Sequence, residues 1–341
     1  MNSDGMNAKK CIHCGKCTRS CPFLSKYQID IGATEKLSEL AYHCFLCGRC
    51  SEVCPMGIDG RGLILKMRQE QVKKSGEIPE KGYGMLLLEK KNYLLRNYRN
   101  VDVIHKKNNE SMKTDVNRGK KSVFFPGCNF PSFYPETNKK IISLFQEYGI
   151  GVVFDCCGKP MAELGLKETE ETIVAGIEKR IKEKSVTEVI MACSNCYSFL
   201  KGRLKEIRVI SIYEKLNELG IGEEIEKDIN IFLPCPDRKE KELLGQMQSF
   251  LAGEVTIITE ASCCGLGGCA ADKEPELSKG MAESIRKAGY EEVYTYCASC
   301  SGNLTRNGCE KVMHVLSEIL ETNEKPDTKG SFLNRIKTKF V

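Results

Sequence analysis

Twenty cysteines stand in a chain of 341 residues, and their spacing says more than their number. Two stretches, CIHCGKCTRSCP and CFLCGRCSEVCP, carry the same C-x2-C-x2-C-x3-C-P run. Two others, FDCCGKP and ASCCGLGG, set two cysteines side by side before a glycine. Adjacent cysteines do not comfortably bond to each other, and both rarely fit one tetrahedral metal site. Thiolates are nucleophiles and soft metal ligands, so the chemistry to expect is redox or metal chemistry.

The two long runs match the two-cluster ferredoxin pattern. Three thiols spaced two residues apart wrap three iron corners of a cubane while backbone N–H groups turn inward. The fourth cysteine, followed by a helix-averse proline, reaches across to the other cluster. On this reading Cys11, Cys14, Cys17 and Cys54 hold one [4Fe–4S] cluster, and Cys44, Cys47, Cys50 and Cys21 hold the other. Zinc also takes four cysteines, but zinc ribbons use paired C-x2-C knuckles instead of a triple run ending in Cys-Pro. His13 and His43 lie in or beside the runs and read as exposed loop residues that tune potential.

Composition limits the remaining choices. A hydrophobic fraction of 41% fits a globular chain with room for several cores. The opening MNSDGMNAKKCIHC has no apolar signal-peptide core, and no apolar run is long enough to span a membrane. A disulfide scaffold belongs to short secreted chains, so reduced, metal-bound thiolates in the cytoplasm are the expectation. Net charge is only +5. The excess of Lys and Arg between Arg61 and Lys121 reads as a solvated face or a dock for an acidic partner protein. No nucleic-acid reader motif accompanies it.

The elements that position these residues are legible in outline. Apolar spacing at Leu63, Ile64 and Met67 predicts a helix leaving the second run, and GMLLLEKKNYLLRNY predicts another. The polar stretch 105–121 reads as a linker. Beyond it the chain repeats itself. Each unit runs strand, helix, strand, helix, a third strand ending in C-x2-C, then a last strand and helix, which predicts parallel sheets flanked by helices. KSVFFPGC answers INIFLPCP, GVVFDCCG answers EVTIITEASCCG, and EVIMACSNC answers EEVYTYCASC. Helices are expected over TNKKIISLFQEYG and over EKELLGQMQSFLAG.

In each unit the cysteines fall where a strand gives way to a helix, the carboxyl edge at which open α/β folds gather ligands. Cys128, Cys156, Cys157, Cys193 and Cys196 therefore converge in the first unit, and Cys235, Cys263, Cys264, Cys297 and Cys300 in the second. Five thiols exceed what zinc or an ordinary cubane needs. A thioredoxin-like dithiol would use only the C-x2-C pair. Zinc and a dithiol remain alternatives to an iron–sulfur cluster. Cys269 and Cys309 read as packing residues.

At these ten cysteines the chain resembles the CCG-domain iron–sulfur oxidoreductases, over about residues 8–320. The layout looks like subunits D and B of heterodisulfide reductase, and is similar to the iron–sulfur subunits of glycolate oxidase and anaerobic glycerol-3-phosphate dehydrogenase. The resemblance implies an α+β chain: an N-terminal α-helical, ferredoxin-like domain with two [4Fe–4S] clusters, then two pseudo-symmetric α/β CCG units with parallel strands. The expected boundaries are 1–75, a helical basic linker 76–121, units 122–229 and 230–322, and a tail 323–341. It further implies that each five-cysteine set holds a noncubane [4Fe–4S] cluster. The two clusters would face each other across a pseudo-twofold and cleave a small-molecule or protein disulfide between them, making the ten cysteines the catalytic ligands. The alternative is a non-catalytic electron-transfer subunit between a flavoprotein dehydrogenase and a quinone or ferredoxin. CCGKP in the first unit against CCGLGG in the second departs from strict repetition.

No strand–G-x-G-x-x-G–helix is present, so a flavoprotein or other electron-donor subunit is the expected partner. The tail GSFLNRIKTKFV spaces Phe332, Leu333, Ile336 and Phe340 on one helical face, a candidate contact for the inner membrane surface or a peripheral membrane subunit. The competing expectation is a loosely packed terminus. His314, in VMHVL, is expected in the core.

Overall fold

The computed structural model describes residues 7–78, residue 83 and residues 121–337. The expected helix over 84–98 and nearly all of the linker lie outside them. The N-terminal module is built from α1 (Lys16–Ser20), α2 (Pro22–Lys26), α3 (Thr34–Glu39), α4 (Arg49–Glu52) and α5 (Gly60–Ser75). Pro22 opens α2 immediately after Cys21, a position where its missing N–H costs nothing. Asp59 caps α5 by accepting from the Gly62 N–H, and the left-handed Gly76 ends it. Phe23, Leu24, Leu37 and Ile64 form this module's core.

The first unit contains β1 (Ser122–Phe125), α6 (Phe130–Phe133), α7 (Pro135–Glu147), β2 (Gly151–Val152), α8 (Lys159–Glu163), α9 (Lys167–Glu183), β3 (Glu188–Met191), α10 (Ser194–Leu200), β4 (Arg208–Ser211) and α11 (Ile212–Leu219). The second contains β5 (Ile229–Ile231), α12 (Glu242–Gln246), β6 (Val255–Ile257), α13 (Pro275–Lys287), β7 (Val293–Thr295), α14 (Ala298–Arg306), β8 (Val312–His314) and α15 (Val315–Ile319). Each unit forms its own four-stranded sheet, in the orders β2-β1-β3-β4 and β6-β5-β7-β8, with every pairing parallel. The fold class is α+β, as the sequence implied.

Two elements are shorter than the sequence suggests. β2 stops at Val152, and the chain has left the sheet before it reaches Cys156 and Cys157. The helix expected over EKELLGQMQSFLAG contracts to α12 and a single 3-10 turn, Gln248–Phe250. Gly245 weakens helix there, while Asp237 caps α12 by accepting from the Leu243 and Leu244 N–H groups at 2.9 and 3.1 Å.

The two units share one core, which runs from β1 through α11 into β8 and α15. Phe124, Phe125 and Phe145 are fully buried in it. Each contributes on the order of 2 kcal/mol of burial free energy. Arg68 of α5, itself fully buried, ties all three modules together. It donates to Ala41 O (2.8 Å) and Cys44 O (2.9 Å) in its own module, to Glu163 O (2.6 Å) in the first unit and to Gly268 O (2.8 Å) in the second. Its guanidinium also lies 4.7 Å from the Tyr42 ring centroid.

The C-terminal segment corrects the expectation of a loose end. After α15 the chain turns back to the first unit, where Glu324 accepts from the Thr137 N–H (2.7 Å) and the Asp327 N–H donates to Phe133 O (2.8 Å). It finishes in α16 (Ser331–Lys337), which packs on α6. Its buried positions are Ser331 and Asn334, while Phe332 and Leu333 face outward; Phe340 lies outside the described residues. No helix among the described residues is long and apolar enough to cross a membrane.

Candidate metal centres

None of the twenty cysteines is in a disulfide, and eighteen of them fall into four groups. Cys11, Cys14, Cys17 and Cys54 line one cavity; Cys21, Cys44, Cys47 and Cys50 line another. The same local geometry builds both. His13 and Leu46 adopt left-handed backbone at φ 51°, and each donates its N–H to the sulfur two residues back, at 3.4 Å. A left-handed glycine follows, Gly15 or Gly48, and starts α1 or α4. Such N–H···S contacts are the means by which a protein stabilises anionic sulfur and tunes a cluster's potential. Burial pushes the Cys21 thiol up to about 12 and the Cys44 thiol up to about 11, with Arg68 opposing the latter. Thiols in such surroundings are anions only when a cation or cluster compensates them.

Each repeat unit arranges its five thiols in the same order. In the first, side-chain contacts link Cys128 to Cys156, Cys156 to Cys157, Cys157 to Cys196 and Cys196 to Cys193. In the second they link Cys235 to Cys263, Cys263 to Cys264, Cys264 to Cys300 and Cys300 to Cys297. The second member of each vicinal pair is the shared acceptor. Hydrogen bonds from Cys156 and Cys196 lower Cys157 to about 6, and those from Cys263 and Cys300 hold Cys264 well below a usual thiol.

The backbone explains how five sulfurs meet. Gly158 and Gly265 follow the vicinal pairs at φ 90° and 85°, a turn that L side chains resist. Cys193 and Cys297 are the N-cap residues of α10 and α14, which sets Cys196 and Cys300 in the first helical turn, beside the positive end of the helix dipole.

The two sites meet reciprocally. Asn195, between Cys193 and Cys196, directs its Nδ2 at the Cys297 sulfur (3.5 Å). Asn129, next to Cys128, donates to Ser299 Oγ (2.7 Å), which lies between Cys297 and Cys300. The N-terminal module touches the second site directly, because Cys47 contacts Cys263, which lowers Cys47 to about 6. Arg238 secures that contact by donating to Cys47 O (2.8 Å) and Ser262 O while paired with Glu52. A cleft of about 1280 Å³ opens among the three modules, with Cys47, Cys235, Asn195 and Lys159 on its walls.

Other residues depart from the sequence reading. His43 is half-buried instead of exposed, and with Lys26 and Tyr27 it grips Glu274 of the second unit, His43 at 2.7 Å. Burial would raise Glu274, but these three hydrogen bonds outweigh it and hold the carboxyl below its usual value. His13 is exposed as expected and pairs with Asp30 at 2.9 Å. His314 is a core residue that caps α15, its Nδ1 accepting from the Leu316 N–H at 3.2 Å, and burial lowers it to about 3. Cys269 and Cys309 stand apart from the four groups; Cys309 is buried against Ala282 O. Sequence reasoning missed Arg68, Arg238 and Arg335. The one available signal was an arginine on the apolar stripe of α5, one turn after Ile64.

Comparisons with known proteins agree with this arrangement. The cysteine-rich CCG domain family matches residues 122–201 and 229–305, and the 4Fe–4S dicluster domain family matches residues 7–58. A curated relative, lactate utilization protein A 1 of Bacillus mycoides, is 25% identical over 242 residues, spanning 60% of this chain and 98% of its own. Among solved structures, an aspartate racemase homologue from Pyrococcus horikoshii aligns over 60% of this chain and 96% of its own, with 12% identity and a TM-score of 0.31. A glutamate racemase from Bacillus anthracis also aligns over 60% of this chain, and 80% of its own, with the same identity and score. Likeness at that level says nothing about this chain. The chain is an iron–sulfur electron-transfer protein with one 4Fe–4S dicluster domain and two CCG cysteine-rich domains, and it carries multiple 4Fe–4S clusters.

Proposed function

We propose that this chain is the disulfide-reducing subunit of an iron–sulfur oxidoreductase, similar to heterodisulfide reductase, with electrons entering through the N-terminal module. Cys11, Cys14, Cys17 and Cys54 would hold one [4Fe–4S] cluster, and Cys21, Cys44, Cys47 and Cys50 a second. The five thiols of each CCG unit would hold one more, of noncubane type. The all-thiol donor sets fit: none is in a disulfide, and each group converges on one point. When bound, the clusters would supply one-electron carriers and, in the CCG units, iron able to receive a thiolate sulfur.

The observation that carries this reading is the reciprocal contact of two complete five-thiol sites through Asn195 and Asn129. A disulfide has two sulfurs, and its cleavage takes two electrons and two protons to give two thiols. Facing sites suit both halves at once. The cleft beside Cys235 and Asn195 is large enough for a small-molecule disulfide or a protein loop carrying one. His314 stays neutral at physiological pH and is no proton source. The electrons must come from a flavoprotein or another donor subunit, since the sequence has no dinucleotide fingerprint.

A second reading is favoured by the relative's name and by the Cys47–Cys263 contact. Here the chain would only relay electrons from a flavoprotein dehydrogenase acting on an organic acid to a quinone or ferredoxin. The first measurement is iron and acid-labile sulfide on protein purified without oxygen. About sixteen irons per chain are expected. A panel of disulfides, from low-molecular-weight to protein, should then change the EPR of the oxidised protein. Full iron with no response to any of them rejects disulfide reduction and leaves the relay.

A further inference from the structure

We infer that the exposed face around Cys14 is the docking surface for the electron donor, and that this donor is a small one-electron carrier protein with carboxylates around its redox group. This rests on the proposed entry of electrons through the N-terminal module. Of the twenty cysteines only Cys14 is exposed. Four large apolar side chains are exposed among the described residues, and two of them, Ile12 (60%) and Met56 (42%), line the same cavity as Cys14. Pro55, between Cys54 and Met56, is exposed with them. An apolar patch at the one thiol group that reaches the surface is a poor way to face water and a good way to exclude it from a contact.

The two cysteine runs of the module show what such a face does. In register, Ile12 answers Phe45, Cys14 answers Cys47, and Arg19 answers Glu52. The second-run residues are all taken up by the second CCG unit. Phe45 is buried in that unit's core with Cys263 and Cys264, Cys47 touches Cys263, and Glu52 pairs with Arg238. Ile12 and Cys14 are the exposed counterparts of two interface residues. The charge, however, is reversed. Where Glu52 receives an arginine from the docked unit, the first run carries Arg19, whose Nη2 donates to Cys14 O (3.3 Å) as Arg238 Nη2 donates to Cys47 O (2.8 Å). Lys16 stands on the cavity wall, and Lys9 lies in the turn that leads into Cys11. All three cations are exposed, and none forms an ion pair with another described residue. The carboxylate on this wall, Asp30, is taken by His13 at 2.9 Å. Cations around an apolar patch steer a partner of opposite sign. The patch borders a cluster site, which a donor must approach closely and a lipid need not. One electron leaves the donor, which is oxidised, and reduces the first cluster; no bond forms or breaks.

The test uses the full-length, anaerobically purified protein and a flavodoxin as the acidic probe. Anisotropy of the oxidised, fluorescently labelled flavodoxin gives a Kd, and reduction by its hydroquinone is followed by freeze-quench EPR. The parent should bind, with a Kd that rises as salt is added. Ile12→Ser and Met56→Ser should each raise the Kd about tenfold, and Lys16→Glu by a similar factor. Phe332→Ser, which removes an exposed apolar side chain elsewhere, should leave it unchanged. Iron per chain should match the parent in all four. No binding by the parent overturns the inference, and so does an unchanged Kd in Ile12→Ser and Met56→Ser. A parent that dimerises, or cosediments with phosphatidylglycerol vesicles, through these two residues while they leave the flavodoxin Kd alone also overturns it. The face then belongs to a second copy or a lipid surface. Failure of the reading beneath looks different: a CCG-unit signal, the one lost in Cys157→Ser or Cys264→Ser, rises before any N-terminal signal.

Discussion

The two CCG units hold the same five thiols in the same order, and almost everything around them differs. The second is docked on the N-terminal module. Cys263 touches Cys47, Arg238 clasps Cys47 O, and Glu274 is gripped by Lys26, Tyr27 and His43. The first meets the N-terminal module through α8, where Arg68 and Tyr42 donate to Glu163 O and Leu164 O, and the C-terminal helix lies against it at Cys128 O. The sequence departure CCGLGG against CCGKP records this division. A Cβ on Gly267 would lie 2.4 Å from Phe45 O, and one on Gly268 would lie 2.4 Å from Cys44 O, so only glycines let the N-terminal backbone approach. In the first unit Lys159 and Pro160 instead open α8, and Lys159 pairs with Glu163. Duplication preserved the metal-binding chemistry and let the surroundings specialise. The thiols of one unit touch those of the N-terminal module through Cys263 and Cys47.

Arg68→Ala should break the comparison altogether, because it removes a side chain of the N-terminal module that is bonded to both units. Leaving four buried carbonyls from three modules without a donor should cost about 3–5 kcal/mol, read as a lower denaturant midpoint. A loss under about 1 kcal/mol would mean that apolar contacts alone hold the modules. Gly267→Val should damage one unit only. Pushing a side chain into Phe45 O should cost about 3 kcal/mol and slow electron passage from the N-terminal clusters, while the first unit keeps its iron. Unchanged transfer between the clusters in stopped-flow reduction would show that the Cys47–Cys263 contact is not the route.

The smallest effect sharpens a pair of matched caps. Ser211 caps the last helix of the first unit, and His314 caps that of the second. Burial lowers His314 in the folded chain to about 3 against an unfolded value of 6.5. A depressed base gives its stability above the unfolded pKa and loses it as pH falls from 6.5 toward 3. His314→Gln should therefore remove about 2 kcal/mol of the destabilisation between pH 7 and pH 5. Thermal unfolding at the two pH values checks this, and parallel losses in parent and variant would contradict it.

What could be read from the sequence was what is local. Ligand-type spacing, the strand-to-helix position of each cysteine and the repeat register depend on neighbours within a few residues, and all ten unit cysteines stand where the pattern put them. The short β2 and α12 were overread because an apolar run does not show where a chain must leave its sheet. Arg68, Arg335 and the docking of the second unit depend on residues far apart in sequence, which periodicity does not encode. The tail misled for a related reason: its apolar residues suggested the buried face, whereas Ser331 and Asn334 occupy it through hydrogen bonds.

Arg68 also sets an order of assembly. Its partners lie at Ala41, Cys44, Glu163 and Gly268, so a chain growing from its N-terminus makes the arginine long before its last acceptor exists. Until the ribosome has passed Gly268, that guanidinium cannot be fully satisfied, and the groove waiting for the second unit stays wet. Closure of the three modules around it is therefore a late, long-range event in biogenesis.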